Sequence, residues 1–502
     1  MKFERASGVL LHPTSLPGPY GIGDLGPSAY RFVDWLADSG CKLWQILPLG
    51  PTGYGDSPYQ CFSAFAGNPY LISPAFLLRD DLLHSDDLAE IPDFPVDKVD
   101  FGRLIPWKLN LLERAFIRFR SAPKPVRRDY ERFCAENVSW LPDYTLFMAL
   151  KEVYGGGAWD GWPDPLRKRD ADSLAEAGRH HADAVERFSF YQFIFFRQWA
   201  DLREHAHGRG IRIIGDIPIF VAYDSADVWA NPELFHLDED GQPTVVAGVP
   251  PDYFSRTGQL WGNPLYRWDV LKAAEYDWWI ARFSAILRQV DVVRLDHFRG
   301  FAGYWEIPAG SPTAETGRWV PGPGEDFLKV LKAALGDAST GLSTGLPIIA
   351  EDLGEITPDV IELRNQFNLP GMKILQFAFS GPDNPFLPHN YPDNCVTYTG
   401  THDNDTARGW YQSAPENERD FARRYLGTDG NNFPWDLVRA AWGSVAVYAI
   451  APMQDLLGLG TEARMNYPST LGGNWDWRMD EKALSDGLRG RLGELNFIYH
   501  RL

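Results

Sequence analysis

The sequence predicts an α/β fold, a single (β/α)8 barrel over residues 1–502. Two observations support this prediction: eight short apolar runs have the length and composition of buried strands, and amphipathic helical patterns separate most of them. A third observation is that several of these runs end in charged side chains, which a barrel places on its carboxyl-terminal rim. The alternative is a doubly wound open sheet, which requires a reversal of strand order that a sequence does not reveal.

The predicted strands are short runs rich in Val, Ile, Leu and aromatic residues. In chain order they lie in the segments 8–15, 42–49, 211–216, 291–300, 303–308, 346–351, 372–379 and 395–399. Helical patterns separate most of them, and the last hundred residues carry further helical patterns at 417–425 and 435–456. All eight strands of the predicted barrel therefore end before residue 400.

Three longer segments are predicted to decorate the barrel. Residues 55–190 lose the strand signals and carry helical patterns, which predicts a largely helical insertion after the second strand. Residues 222–268 are rich in aromatics and glycine and predict a loop insertion after the third strand. Residues 461–478 predict a polar loop over the active site. No separate C-terminal β-domain is predicted.

The composition argues against several classes of partner. A formal charge of -19 and a pI near 5.0 disfavour binding to nucleic acid or to an anionic membrane, because both depend on basic surface. No apolar run has the length of a signal or membrane-spanning segment, so the protein is predicted to be soluble and cytoplasmic. The four cysteines are scattered without paired spacing, which predicts neither disulfides nor a zinc site. No protein partner is indicated.

The first segment whose residues indicate a catalytic site is DVVRLDHFRG, residues 291–300. Its apolar front half reads as a buried strand, yet it ends in Arg294, Asp296 and His297. Because strand side chains alternate between faces, Arg294 and Asp296 project to the same side, where the cation keeps the carboxylate ionised. Such a carboxylate is suited to act as a nucleophile, although a structural ion pair that caps the strand would show the same pattern.

Other predicted strands also end in ionisable residues. Asp216 ends the third, Glu351 and Asp352 end the sixth, and His402 and Asp403 follow the eighth. A rim with this many carboxylates is costly unless cationic partners or chemistry justify it, and we therefore expect a functional site.

The sequence argues against several other kinds of catalytic site. The histidines lack the paired spacing of metal ligands, so no metal site is predicted. No GxSxG elbow is present, and the GxGxxG pattern at 21–26 is separated from its strand by prolines, which argues against a nicotinamide cofactor. Carboxylate chemistry on a neutral polar substrate remains, and its type case is glycoside cleavage by a nucleophile and an acid/base, which needs no cofactor.

Several longer motifs resemble the amylomaltase family, the 4-α-glucanotransferases of glycoside hydrolase family 77. They are VRLDHFRG, PIIAEDLG, YTGTHDNDT, DSPYQCFSAFAGNPYLI, PPDYFSRTGQLWGNPLY and RMNYPSTLGGNWDWR. The resemblance covers essentially the whole chain in order. The loop reads Pro468-Ser469-Thr470 where many relatives have glycine in the middle. The family's substrates imply malto-oligosaccharides, amylose or other α-1,4-glucans as partners.

The resemblance also implies roles for individual residues. Asp296 would be the nucleophile that forms a β-glucosyl-enzyme, Glu351 the general acid and then base, and Asp403 the residue that stabilises the transition state. The adjacent Asp352 is the alternative acid that the sequence alone leaves open. The substrate-binding residues that we expect are Tyr59, Asp216, Asp252, Tyr253, Phe254, Trp261, Asn263, Pro264, Arg294, His297, His402 and Asn466, and Tyr54 is expected at a second glucan groove.

The sequence is compatible with three alternative functions. The first is a 4-α-glucanotransferase, in which aromatic loops exclude water from the intermediate until a sugar hydroxyl arrives. The second is an α-glucan hydrolase of the α-amylase clan, in which the resemblance also places the amylomaltases. The third, from a different class, is a catalytically silent glucan-binding protein, which the complete set of carboxylates disfavours.

Overall fold

The β-strands form two sheets in a computed structural model that describes residues 3–251, 255–336, 345–470 and 472–502, with only the backbone at Tyr54. Within these residues the strands are β1 (Ala6–Leu10), β2 (Leu43–Gln45), β3 (Arg212–Ile217), β4 (Val245–Val249), β5 (Gln259–Pro264), β6 (Val292–Leu295), β7 (Gly303–Pro308), β8 (Arg318–Pro321), β9 (Ile348–Ala350), β10 (Gly371–Ile374), β11 (Cys395–Tyr398) and β12 (Tyr448–Pro452).

The α-helices lie between and after the strands, with short 3-10 turns in many connections. They are α1 (Pro27–Asp38), α2 (Pro74–Arg79), α3 (Phe101–Phe119), α4 (Lys124–Glu136), α5 (Leu141–Val153), α6 (Asp164–Arg167), α7 (Ala171–His180), α8 (Ala182–Gly208), α9 (Ala226–Ala230), α10 (Trp268–Ala273), α11 (Asp277–Leu287), α12 (Arg299–Ala302), α13 (Gly324–Gly336), α14 (Pro358–Gln366), α15 (Ala407–Ser413), α16 (Glu416–Leu426), α17 (Phe433–Gly443), α18 (Met453–Leu457) and α19 (Asp486–Ile498). No helix in the described part of the chain is both long and apolar enough to span a membrane.

Eight of the strands close a parallel barrel, in the order β1-β12-β11-β10-β9-β6-β3-β2. The helices between them cover its outer surface, so the predicted (β/α)8 fold is confirmed. The barrel strands are almost entirely buried, because each has side chains packed both inside the barrel and against the helices. The carboxyl ends of all eight strands therefore open on one rim.

One predicted barrel strand was wrong, and one barrel strand was missed. Residues 303–308 form β7, which pairs antiparallel with β4 and β8 outside the barrel. The eighth barrel strand is β12, which lies inside the pattern predicted as a helix at 435–456. Its five residues, YAIAP, are a short apolar run whose periodicity does not distinguish a buried strand from a buried helix. Glu351 and Asp403 consequently follow the fifth and seventh barrel strands, not the sixth and eighth.

The second sheet has four antiparallel strands in the order β5-β4-β7-β8. Two of them, β4 and β5, come from the segment 222–268 that was predicted as a loop. The other two, β7 and β8, come from the connection between barrel strands β6 and β9. The sheet thus joins the connections that follow two neighbouring barrel strands, β3 and β6.

The long connection between β2 and β3 carries helices α2 to α8. Its last helix, α8, buries a run of aromatic residues and packs against α3, α4, α5 and the barrel helix α1. Gln192 on α8 fixes the connection near its start: its Oε1 accepts the Gly67 N–H at 2.7 Å and its Nε2 donates to the Gly67 carbonyl at 2.9 Å. The helices are thereby tied to the loop that follows β2.

Arg501 fastens the C-terminal segment to the barrel. Its side chain is fully buried and donates to the carbonyl oxygens of Trp442, Ala6 and four residues between Ala441 and Val447. Burial lowers the pKa of the guanidinium to about 9, so it remains charged at neutral pH. These carbonyls flank β1 and β12, the pair of strands that closes the barrel.

We expect Arg501→Met to destabilise the protein by about 3–5 kcal/mol, because it leaves several buried carbonyls without a charged donor. Urea unfolding followed by tryptophan fluorescence measures the change. Arg489→Met is the matched control, since Arg489 is an exposed arginine of α19 that pairs with surface aspartates. Equal midpoints for the two variants would show that the carbonyl cluster does not need Arg501.

Candidate active site

An ion-paired triad of two carboxylates and an arginine lies where β3 and β6 run side by side. The register of the two strands places Asp216 directly beside Arg294. Arg294 Nη1 lies 2.7 Å from Asp216 Oδ2 and 2.8 Å from Asp296 Oδ1. Burial by itself lowers the pKa of Arg294, but the two carboxylates raise it well above its usual range, so the guanidinium stays charged.

The two carboxylates of this triad differ in access. The Asp216 side chain is completely buried, whereas 28% of the Asp296 side chain is exposed to the cleft. Burial raises the pKa of Asp216, and the neighbouring Arg294 opposes that shift. Asp296 is therefore the member of the pair that a substrate reaches, while Asp216 holds the arginine from behind.

Tyr59 links this triad to the opposite side of the rim. Its hydroxyl donates to Asp216 Oδ2 at 2.9 Å, and its ring stacks on His402 with centroids 5.1 Å apart. Trp475 packs against both rings, at 5.7 Å from Tyr59 and 5.9 Å from His402. Sequence reasoning did not single out Trp475, although it lies in the segment 461–478.

Glu351 follows β9 and is held by two backbone donors. The N–H of His297 donates to Oε2 at 2.7 Å, and the N–H of Leu353 donates to Oε1 at 2.9 Å. Burial, with the nearby charge of Asp296 adding to it, raises the pKa of Glu351 to about 8 despite the opposing charge of Arg294. The carboxyl group is thus mostly protonated at neutral pH, which is the state that a general acid requires.

His297 adopts a strained backbone conformation beside these groups. Its φ of 50° lies in the left-handed region, which a non-glycine residue seldom occupies. This conformation aims its N–H at Glu351, so the strain is used to fix the carboxyl group. Burial lowers the pKa of the imidazole to about 4, and the ring is neutral at pH 7.

Asp352 faces a different environment from its neighbour Glu351. One of its oxygens accepts the Met372 N–H at 2.7 Å, and the other pairs with Arg364. Among the described residues that line the cleft, Asp352 does not appear, whereas Glu351 does. Of the two adjacent acids that the sequence left open, Glu351 is therefore the one that lines the cleft.

Asp403 follows β11 and is contacted by the side chains of Asn466, His402 and Arg464. Asn466 Nδ2 donates to Oδ1 at 2.7 Å, and His402 Nε2 lies 3.3 Å from Oδ2. Burial would raise the pKa of Asp403, but His402, Asn466 and the charge of Arg294 hold it well below its usual range. Arg464, which the sequence did not indicate, donates to the backbone carbonyls of Asp403 and Asn466, both at 2.7 Å.

These groups line one open cleft of about 1520 Å³, larger than the roughly 300–1,000 Å³ of pockets for small molecules. That size suits an extended ligand. Predicted residues that line it are Tyr59, Trp261, Asn263, Arg294, Asp296, His297, Glu351, His402, Asp403 and Asn466.

Two predicted site residues among those described, Asp216 and Pro264, do not line the cleft. Pro264 is buried in the ladder between β4 and β5 and pairs with Val246, so its place is in the sheet. Asn263 does line the cleft but is largely buried, and it donates to the Val221 carbonyl at 2.9 Å. Asp252, Tyr253 and Phe254, together with the side chain of Tyr54, fall outside the described residues.

The donor set of the site belongs to organic acid/base chemistry. In the part of the chain that the structure describes, no three His, Cys, Asp or Glu side chains are grouped to hold a metal ion. The cleft instead offers one carboxylate paired with an arginine, one buried carboxyl group whose pKa is raised to about 8, and one carboxylate whose pKa is strongly depressed. Three carboxyl groups in such different environments, on the rim of a (β/α)8 barrel, define the class of barrel enzymes that cleave glycosidic bonds.

Comparison with known proteins identifies the family. The model of the glycoside hydrolase 77 family, described as 4-alpha-glucanotransferase, matches residues 11–484, and the chain belongs to this family. A 4-alpha-glucanotransferase of Thermus thermophilus is 53% identical over 512 residues, covering 100% of both chains. The chloroplastic/amyloplastic 4-alpha-glucanotransferase of Solanum tuberosum is 44% identical over 99% of this chain and 86% of its own.

A solved structure agrees with the sequence comparison. The amylomaltase of Streptococcus agalactiae, in complex with acarbose, matches with a TM-score of 0.95 at 40% identity. The match covers 99% of this chain and 100% of that one. The resemblance to amylomaltases that the motifs indicated is therefore confirmed.

Proposed function

We propose that this protein transfers a segment of a 1,4-α-glucan to the 4-hydroxyl of glucose or of another 1,4-α-glucan, by a retaining double displacement. The observation that carries the proposal is the presence, in one cleft, of Asp296 paired with Arg294 and of the buried Glu351, whose pKa is raised to about 8. A nucleophile and an acid of this kind are what a retaining mechanism requires. Malto-oligosaccharides and longer α-glucans fit the extended cleft as donors and acceptors.

In the first step, Asp296 attacks the anomeric carbon while Glu351 gives its proton to the leaving oxygen. The glycosidic C–O bond breaks, the shortened glucan leaves with a free 4-hydroxyl, and a covalent β-glucosyl ester forms on Asp296. In the second step, ionised Glu351 takes a proton from the acceptor's 4-hydroxyl, whose oxygen displaces Asp296. The two inversions together retain the α-configuration.

The other charged groups assist this sequence. Asp403, which stays ionised, stabilises the positive charge of the oxocarbenium-like transition state and binds hydroxyls of the sugar that carries it. His402 positions the neighbouring hydroxyls, and the buried Asp216 holds Arg294 and Tyr59 in place behind them. His297, whose neutral ring lies in the same cleft, remains a proposed substrate contact, and its Nε2 is buried without a hydrogen-bond partner among the described residues.

Transfer is favoured over hydrolysis if water is kept from the ester until a sugar arrives. Trp261, which packs edge-on against His297 at 4.8 Å, and Trp475 place aromatic surface on both sides of the site. We assign a role in covering the site to the segment 461–478, whose described residues 466–470 line the cleft. Tyr253, Phe254 and Asp252 remain proposed substrate contacts, and Tyr54 remains proposed at a second glucan groove.

Incubation with maltotriose tests the proposal. A ladder of longer oligosaccharides with glucose, at a constant number of reducing ends, supports transfer. Rising reducing ends would assign an α-glucan hydrolase, and unchanged maltotriose with measurable binding would assign a silent glucan-binding protein. Cell fractionation with an antibody tests the cytoplasmic location, which we propose from the sequence.

The rate of transfer is expected to fall on the alkaline side, with a midpoint near pH 8. Glu351 must hold its proton in the first step, and the protonated fraction decreases as the pH rises through its raised pKa of about 8. The profile of kcat/KM for maltotriose between pH 5 and pH 10 reports this group in the free enzyme. A decline centred below pH 6 would contradict the assigned protonation state.

A further inference from the structure

Trp319 presents aromatic surface to the cleft from the edge of the second sheet. It lies on β8, the edge strand, and 39% of the residue is exposed. It lines the same cleft as Asp296 and Glu351. A large apolar side chain on an exposed edge strand favours aggregation, so its retention in a substrate cleft points to a ligand.

The indole ring of Trp319 is contacted by two neighbouring side chains. The guanidinium carbon of Arg299 lies 3.7 Å from the ring centroid, in a cation–π contact that covers one face. Arg299 itself is only 8% exposed and donates to the backbone carbonyl of Glu355. Trp305, the cross-strand neighbour, packs edge-on at 5.2 Å and is anchored by a 2.8 Å hydrogen bond to the Ala314 carbonyl.

Trp319 and Arg299 together form a flat platform, which is joined directly to the segment that carries Asp296. Arg299 begins α12, three residues after Asp296, and the Gly322 N–H beyond β8 donates to the Ala302 carbonyl at 2.9 Å. A Cβ atom at Gly322 would lie 2.4 Å from the Phe301 carbonyl oxygen, so the close approach of β8 to α12 requires glycine there. The position of the ring is therefore fixed relative to the nucleophile.

The neighbours of Trp319 place it on the leaving-group side of the reaction. A general acid protonates the leaving oxygen, so Glu351 faces the part of the glucan that departs and the acceptor that replaces it. The residues after it, from Leu353 to Glu355, continue the wall of the cleft on that side, and Glu355 holds Arg299.

We propose that Trp319, supported by Arg299, stacks on a glucosyl unit of the acceptor chain beyond the first one. This inference rests on the proposed transfer function and adds a determinant of acceptor length to it. The apolar face of a glucose ring matches the flat indole, and Thr313, which also lines the cleft, offers a polar group to its hydroxyls. Acceptors of several units gain this contact, and glucose alone does not reach it.

The test measures transfer from maltotriose to two acceptors with ¹³C in the reducing-end unit, glucose and maltotetraose. Mass spectrometry then separates products of the labelled acceptor from those of the donor. Trp319→Ala is expected to raise KM for maltotetraose about tenfold and to leave kcat and the KM for glucose within about twofold. Trp319→Phe, which keeps a flat ring, should recover most of the loss.

Val320→Ala is the matched control, because Val320 is the next residue on β8 and packs against the core instead of lining the cleft. It should leave both KM values unchanged. Equal KM changes for the two acceptors in Trp319→Ala, or no change for maltotetraose in both Trp319 variants, would overturn the inference alone. A wild-type protein that transfers to neither acceptor would remove the proposed function, and this inference with it.

Discussion

Asp296→Asn is expected to lower the rate of maltotriose disproportionation at least about 10⁴-fold while leaving glucan binding nearly unchanged. The amide is close in size to the carboxylate, but it neither carries the negative charge that Arg294 supports nor forms the glucosyl ester. Product formation by chromatography gives the rate. Titration calorimetry with maltohexaose gives the binding constant, and together they separate loss of chemistry from loss of the site.

Glu355→Gln is the matched control for this variant. Glu355 lines the same cleft, and its exchange also removes one negative charge without changing side-chain size. Glu355 contacts Arg299 through its backbone carbonyl, which the exchange leaves unchanged, so we expect rates within about threefold of wild type. Asp296→Asn that retains more than a few per cent of wild-type transfer would exclude Asp296 as the nucleophile.

Glu351→Gln is expected to abolish transfer from maltotriose but not consumption of α-maltosyl fluoride. Fluoride departs without a proton, so Asp296 can still form the maltosyl ester as the C–F bond breaks. The ester then accumulates, because no base activates the acceptor. Added azide, which needs no deprotonation, should release it as maltosyl azide of retained configuration, measured by fluoride release and mass spectrometry.

Asp352→Asn separates the two adjacent acids. Its carboxylate pairs with Arg364 and accepts the Met372 N–H, so Asp352→Asn should lower the midpoint of thermal unfolding. The variant should still transfer from maltotriose without added azide. Azide rescue in Asp352→Asn, with full maltotriose activity in Glu351→Gln, would transfer the acid role to Asp352. Circular dichroism of both variants shows whether each one is folded under the assay conditions.

The barrel was predictable because its strands are continuous apolar runs between helical patterns. The strands β6, β9 and β11 lie in predicted segments, and β3 extends one residue beyond its own. The prediction failed where local pattern and tertiary role diverge. In β7, residues 303–308 have a strand pattern, but no local signal states whether a strand pairs parallel in a barrel or antiparallel in a separate sheet. In β12, a five-residue apolar run between helices carried no period of its own.

The candidate site shows a similar limit. Asp216, Asp296, Glu351 and Asp403 were found because carboxylates at or shortly after the carboxyl end of a buried strand are unusual. The Leu353 N–H that holds Glu351 had no signal in the sequence, since every residue except proline has such a donor. The same applies to the contacts of Arg464 with backbone carbonyls, which depend on the fold and not on the residue types that they touch.

The pairing of β1 with β12 also bears on synthesis of the chain. A ribosome adds about 5–20 residues per second, and roughly 440 residues separate these strands, so about 20 to 90 s pass before β1 meets its second neighbour. Throughout that interval one side of β1 has unpaired backbone groups that attract other strands. A chaperone that shields a growing chain should therefore raise the yield of this protein most when translation is slow.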